Sequence, residues 1–272
     1  MSDATQHDPA VLDGADADSI VDLIAGMRPD ARARLGVSVA RLGDAVAVSC
    51  RAIDSPIFNR VLGVGTLATA TREDISRAAD HYGALEVPRW AMLVADAATP
   101  PALTSWLEDA GLRPGLRSAK LWHAMDALPG RIGTIVVRRT DDVNLVADVL
   151  TDAYGTDPAM RDWWQSPIGR PGWHHYAAWR EHRVVAVASL RLAPPVAWLG
   201  FAGALPEARR LGAQSALIAH RLRAAADAGC RIAVAETADD TPDQPNPSFR
   251  NLLHLGFRLA YRRTSWLAGS HV

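Results

Sequence analysis

The sequence predicts an α/β (α+β) protein: a mixed central sheet flanked by helices, built twice along the chain. Three observations carry this. An apolar run at 196–201 reads as a strand and passes through Pro-Glu-Ala-Arg-Arg-Leu-Gly (206–212) into an Ala/Leu-rich helix. Strand-like and helix-like segments alternate on either side of that turn. Finally, Gly-Leu-Arg-Pro-Gly-Leu-Arg at 111–117 is echoed by Gly-Phe-Arg-Leu-Ala-Tyr-Arg at 256–262, each after a helical pattern and before a strand with tryptophan (Trp122, Trp266).

The elements follow in order. Residues 1–16 carry Asp3, Asp8, Asp13 and Asp16 and read as an acidic, flexible tail. A short helix is expected at 17–27. Strands are expected at 37–39 and 45–50 around a Gly43-Asp44 turn, and at 61–65. A helix at 72–82, a buried strand at 90–94 and a helix at 101–110 stopped by Gly111 complete the first half. Residues 128–131 (Leu-Pro-Gly-Arg) read as a linker. The expected domains are thus 17–127 and 132–272. The second opens with a strand at 134–139 and a helix at 141–153 capped by Thr140 or Asp141. A loop region at 154–172 holds Trp163 and Trp164. An antiparallel pair at 173–179 and 184–192 turns at Glu181-His182. After the strand at 196–204, the turn and the helix, Gly229 reads as a helix stop. A buried strand is expected at 230–235, a polar loop at 236–245, and a short helix opened by Asn246-Pro247. A final strand pair or hairpin is expected at 257–266.

The turn before the second domain's long helix suits a phosphate. The first turn of a helix has amides without partners, and its dipole favours negative charge. Gly212 adds conformational freedom and close approach, and Arg209 and Arg210 add positive charge. The same kind of turn also occurs with no ligand at all.

The spacing Arg209-x-x-Gly212-x-Gln214 resembles the pyrophosphate loop of the GCN5-related N-acetyltransferases (the GNAT family), written Gln/Arg-x-x-Gly-x-Gly/Ala; Gln214 departs from it. The stretch at 246–257 is similar to the family's penultimate helix and following Gly-Phe, and the resemblance covers roughly 132–267. It implies a GNAT-like fold in tandem, with residues 20–127 as a degenerate copy. Gly65-Thr66-Leu67-Ala68-Thr69-Ala70 stands in that copy where the phosphate loop belongs, so this half is expected to bind no coenzyme.

The resemblance implies an N-acetyltransferase that moves an acetyl (acyl) group from coenzyme A to an amine, with acetyl-CoA as co-substrate. It assigns the pantetheine arm to Gly203, Ala204 and Leu205. The pyrophosphate falls to Arg209, Arg210, Leu211, Gly212, Ala213, Gln214 and Ser215, with Asn246 as a further contact or only a helix cap. Glu236 is the candidate base, or else a solvated strand-end carboxylate. The tyrosine the family often places four residues before the Gly-Phe glycine is Leu252 here, so the acid is unassigned. Ser248 is carried as a catalytic candidate, with His254 or a water as others. Trp163 and Trp164 are the candidate acceptor site, or core. The alternative reading is a non-catalytic acyl-CoA sensor or scaffold; a third is a pair of α/β domains that bind no coenzyme.

Composition narrows the partners. The 272 residues carry 29 basic and 30 acidic side chains, a net charge of −1. That balance gives no electrostatic footprint for nucleic acid or an acidic membrane. The acceptor is expected to be a small-molecule or protein amine. Cys50 and Cys230 stand far apart without metal-type neighbours, and His174, His175 and His182 lack acidic or cysteine company, so no metal is expected. With no signal-peptide pattern and no run of transmembrane length, a soluble cytoplasmic protein is expected. Nine tryptophans suit a core or a homodimer interface.

Overall fold

A computed structural model describes residues 8–130 and 132–269. The described chain divides into two compact units. Unit 1 holds residues 8–24, 29–120 and 260–269; unit 2 holds 25–28 and 121–259. The division departs from the expected 127/132 boundary, because the chain's last strand groups with the first unit.

Unit 1 begins with α1 (Pro9–Ala25) and α2 (Pro29–Leu35). The sheet follows as β1 (Val37–Leu42), β2 (Ala45–Cys50), β3 (Arg60–Val64) and β4 (Trp90–Ala95), with β5 (Arg113–His123) and, from the end of the chain, β11 (Arg258–Ala268). The strand order is β1-β2-β3-β4-β11-β5. The β3–β4 pair is parallel, while β1–β2, β2–β3 and β4–β11 are antiparallel. Between β3 and β4 runs α3 (Arg72–Ala84), and after β4 comes α4 (Leu103–Asp109). The core packs Ile75, Ala78 and Tyr82 of α3 and Leu103 and Leu107 of α4 against Val61, Met92 and Trp266 of the sheet. Tyr82 stacks on Trp90 at 4.9 Å and donates its hydroxyl to the Val48 carbonyl.

The acidic tail over 1–16 is not a tail from residue 9 onward. It is the first half of α1, and Asp13 and Asp16 are buried. Residues 1–7 lie outside the described residues. The expected terminal hairpin at 257–266 is instead the single strand β11.

Unit 2 contains β6 (Val136–Arg139), α5 (Val143–Tyr154), α6 (Arg161–Gln165), β7 (Trp173–Arg180), β8 (Arg183–Ala193), β9 (Val196–Ala204), α7 (Ala213–Asp227), β10 (Ile232–Ala238) and α8 (Pro247–His254). Its strands lie in the order β10-β9-β8-β7-β6, parallel at β10–β9 and antiparallel elsewhere. Asp142, not Thr140 or Asp141, caps α5, accepting from the amides of Asn144 and Leu145. The region expected as loop contains a 3-10 turn (Pro158–Met160) and α6. Tyr176 meets His220 of α7 edge-on, so His174 and Tyr176 face α7, while Trp173 and His175 face the opposite side.

Candidate active site

The site begins where β9 and β10 part. Their parallel register runs from Ile232↔Val196 to Ala235↔Leu199 and stops there. Both strands continue, β9 to Ala204 and β10 to Ala238. The parting coincides with a β-bulge. Val187 faces Gly203 and Ser189 faces Gly200, so Ala188 on β8 opposes both Phe201 and Ala202. Phe201 takes a left-handed φ of 43°. A bulge of this kind bends its strand and breaks the ladder locally.

Two side chains hold the bulge. Arg221 of α7, 2% exposed, donates from Nη1 to the Ser189 carbonyl at 2.9 Å and to that of Gly200 at 3.4 Å. Burial lowers its pKa to about 10, against the opposing pull of Tyr154 and Tyr176, and it stays charged at neutral pH. From α5, the Tyr154 hydroxyl reaches the Ala202 carbonyl at 3.1 Å. Gly203 is where α5 presses closest: a Cβ there would lie 2.7 Å from that of Ala153.

Past β9 the chain makes a 3-10 turn (Pro206–Ala208) and enters α7 through two left-handed residues, Arg210 (φ 66°) and Gly212 (φ 80°, ψ 3°). A Cβ on Gly212 would meet nothing within 4 Å, so its glycine serves the backbone conformation. The helix has no side-chain cap and no acidic residue in its first turn. Among the described residues, the amides of Arg210, Leu211, Gly212, Ala213, Gln214 and Ser215 have no protein acceptor. Six successive open amides, with exposed Arg209 and Arg210 alongside, make a helix terminus whose geometry and charge suit an anion.

Leu205 leaves the expected pantetheine set, because its amide donates to the Val185 carbonyl at 3.0 Å, and Gly203, two residues back and opposite Val187, leaves it because its amide faces β8 too. Strand alternation then turns the amides of Ala204 and Ala202 away from β8, toward the side where β10 has parted. Glu236 is half-buried on β10, one residue past the last pair with β9. Ser248 is half-buried in the first turn of α8. Asn246 is fully engaged as a cap: it accepts from the Ser248 amide and donates to Thr237 Oγ1 and the Ala238 carbonyl. Leu252 is buried and His254 exposed. Trp163 and Trp164 are both buried, so neither offers an open ring face. Trp164 instead supports Tyr154, stacked at 5.5 Å, and Phe201, edge-on at 5.3 Å. Sequence reasoning missed Tyr154, Phe201 and Arg221. Only Arg221 left a signal, an arginine four residues after Leu217 and four before Ala225 on the apolar face of its helix.

Unit 1 offers a contrast at the corresponding place. Thr71 and Asp74 form a reciprocal capping box at the start of α3, and Glu73 and Asp74 put acid in its first turn. Arg77 is paired with both carboxylates. The ends of β3 and β4 are tied together: the Thr99 amide donates to Gly65 and the Ala70 amide to Thr99, each at 2.8 Å. A Cβ on Gly65 would lie 2.9 Å from both Ala98 Cβ and the Thr99 carbonyl.

The comparisons with known proteins meet this geometry at one point. Residues 143–257 match the model of the acetyltransferase (GNAT) family. The C-terminal half of the chain carries a GNAT domain. It runs from α5 to the Gly-Phe after α8, and so includes the parted strands and the open helix terminus. A GCN5-related N-acetyltransferase from Kribbella flavida superposes with a TM-score of 0.65 at 16% identity, over 97% of this chain and 96% of that one. A GCN5-related N-acetyltransferase from Sphaerobacter thermophilus gives 0.59 at 15% identity, over 84% and 82%. A tandem GNAT protein from the clavulanic acid biosynthesis pathway gives 0.58 at 16% identity, over 96% of each chain. At these identities the likeness is one of fold, and the fold is that of the GNAT proteins, tandem ones included. No curated protein matches the sequence significantly. Among the described residues, no helix is long and apolar enough to cross a membrane, and no group of three or more His, Cys, Asp or Glu is placed to hold a metal.

Proposed function

We propose that the GNAT domain binds acetyl-CoA and catalyses acyl transfer to an amine, small-molecule or protein, by direct attack of the amine on the thioester. One observation carries this reading. The strands part after Leu199 and Ala235, just ahead of a loop that presents six unpartnered amides. The diphosphate rests on the amides of residues 210–215, with Arg209 and Arg210 adding charge. The pantetheine arm runs along β9 on the amides of Ala202 and Ala204, and the acyl group enters between the strands. Glu236 is the base candidate and Ser248 a hydroxyl from α8. Hydrogen bonds to a charged group contribute about 1.5–3 kcal/mol each, enough in sum for micromolar binding. Unit 1, with a capped, acid-bearing helix start and tied strand ends, takes no coenzyme.

Calorimetric titration with acetyl-CoA tests the reading. Micromolar binding is expected for the protein, and a loss of at least about 100-fold for Gly212→Glu, whose carboxylate would stand in the phosphate site. No binding at millimolar acetyl-CoA ends the proposal, and unchanged affinity of Gly212→Glu moves the site elsewhere. A second reading, a non-catalytic acyl-CoA binder, draws on buried Leu252 at the position of the family's tyrosine. Release of free CoA above background with any member of a broad amine panel eliminates it.

A further inference from the structure

The reacting hydroxyl of this GNAT domain need not come from α8. Tyr154 is the last residue of α5, and Gly155 (φ 60°, ψ 36°) ends the helix directly behind it. Its hydroxyl lies 3.1 Å from the Ala202 carbonyl, three residues beyond Leu199, the last residue of β9 to pair with β10. Because Leu205 points its amide at β8, the Ala202 peptide group faces away from β8, toward the opening. The ring is fixed by stacking on Trp164, which is itself held edge-on against Phe201 of the bulge. Even so, Tyr154 is 48% exposed, so a ligand can reach it. At 3.1 Å the bond to Ala202 is long for a hydroxyl donor, whose usual distance is about 2.7–2.8 Å. The protein around the hydroxyl raises its pKa, so it stays protonated and holds a hydrogen it can donate.

Resting on the coenzyme reading above, we propose that Tyr154 is a catalytic residue whose hydroxyl moves from the Ala202 carbonyl to the thioester oxygen as that oxygen becomes an oxyanion. The amine nitrogen forms a bond to the carbonyl carbon, and the π pair moves onto oxygen. Tyr154 donates a hydrogen bond there and keeps its proton. Collapse restores the C=O bond and expels the thiolate with the C–S pair; the proton on the new ammonium leaves to a base or to water. In the ground state the Ala202 amide carbonyl is a stronger acceptor than the thioester, so the hydroxyl stays where it is. An oxyanion is a far stronger acceptor, so the bond forms only in the transition state, where it accelerates reaction.

The test uses Tyr154→Phe, which keeps the ring and its stacking. The protein and the variant are titrated with acetyl-CoA and with a dethia trifluoromethyl-ketone analogue, whose hydrated ketone mimics the tetrahedral state. Acetyl-CoA affinity is expected within about twofold of the parent, and the analogue is expected to bind at least about tenfold more weakly to the variant. Equal factors for the two ligands, as mere loosening of β9 would give, overturn the proposal. Absence of acetyl-CoA binding to the parent protein overturns the coenzyme reading and this inference with it.

Discussion

Burial holds the His175 imidazole at a pKa of about 4, against an ordinary 6.5, with its Nδ1 2.9 Å from the Ser189 hydroxyl. The depressed value means that the folded protein stays unprotonated between pH 6.5 and 4, while the unfolded chain takes up a proton. Stability is therefore full above pH 6.5 and falls as the pH drops toward 4, by roughly 3 kcal/mol from this group. Urea unfolding at pH 7 and pH 4 is expected to show that loss, and a His175→Gln protein to show a correspondingly flatter pH dependence. Gly200 is constrained in another way. The Trp198 ring folds over it and leaves no room for a Cβ. Gly200→Ala is expected to cost about 1–3 kcal/mol in thermal unfolding, since the ring or the bulge must shift. Neither constraint was legible in the sequence. A histidine in an alternating strand looks like any other, and a ring lying back on a glycine two residues away is a tertiary choice. Gly212 was legible as the glycine of the turn into the helix, where its φ is 80°.

Helix entry separates the two units. α7 leaves its first turn open, and α3 fills its own with Thr71 and Asp74. Thr71→Ala is expected to lower stability by about 1 kcal/mol and to leave acetyl-CoA affinity unchanged, as calorimetry on the same samples will report. A change in affinity would mean that α3 contributes to coenzyme binding. Most elements could be read in advance from periodicity and from Gly, Pro and Asn punctuation, and α8 was predicted with its Asn246 cap. α1 could not. Its acids looked like a solvated tail because their partners, Thr66, Lys120, Tyr261 and Arg263, lie 53 or more residues away. The bulge at Phe201 was equally hidden, since nothing in Gly-Phe-Ala-Gly marks a register shift.

At the scale of the molecule, the GNAT-like repeat was visible in the two Gly-x-Arg stretches, but its bookkeeping in space was not. β11 inserts between β4 and β5 in the sheet of unit 1 and carries in Tyr261 and Arg263. There the Tyr261 hydroxyl donates to Asp13 at 2.6 Å, and Arg263 bonds Asp13 and Asp16 at 3.2 and 2.9 Å. Lys120, the chain's lone lysine, pairs with Asp16 at 3.2 Å and is brought to a pKa of about 8 by burial and by Arg263. Replacing one member of such a buried set strands the others, so Arg263→Leu is expected to cost about 3–5 kcal/mol in chemical unfolding; a loss under about 1 kcal/mol would mean the cluster is solvated. The functional account rests on the open amides of unit 2. Residue-resolved amide hydrogen exchange with and without acetyl-CoA tests it most directly. Slowed exchange at residues 210–215, with none at residues 71–74, is the predicted result. Unchanged exchange at 210–215 under saturating ligand would contradict the account.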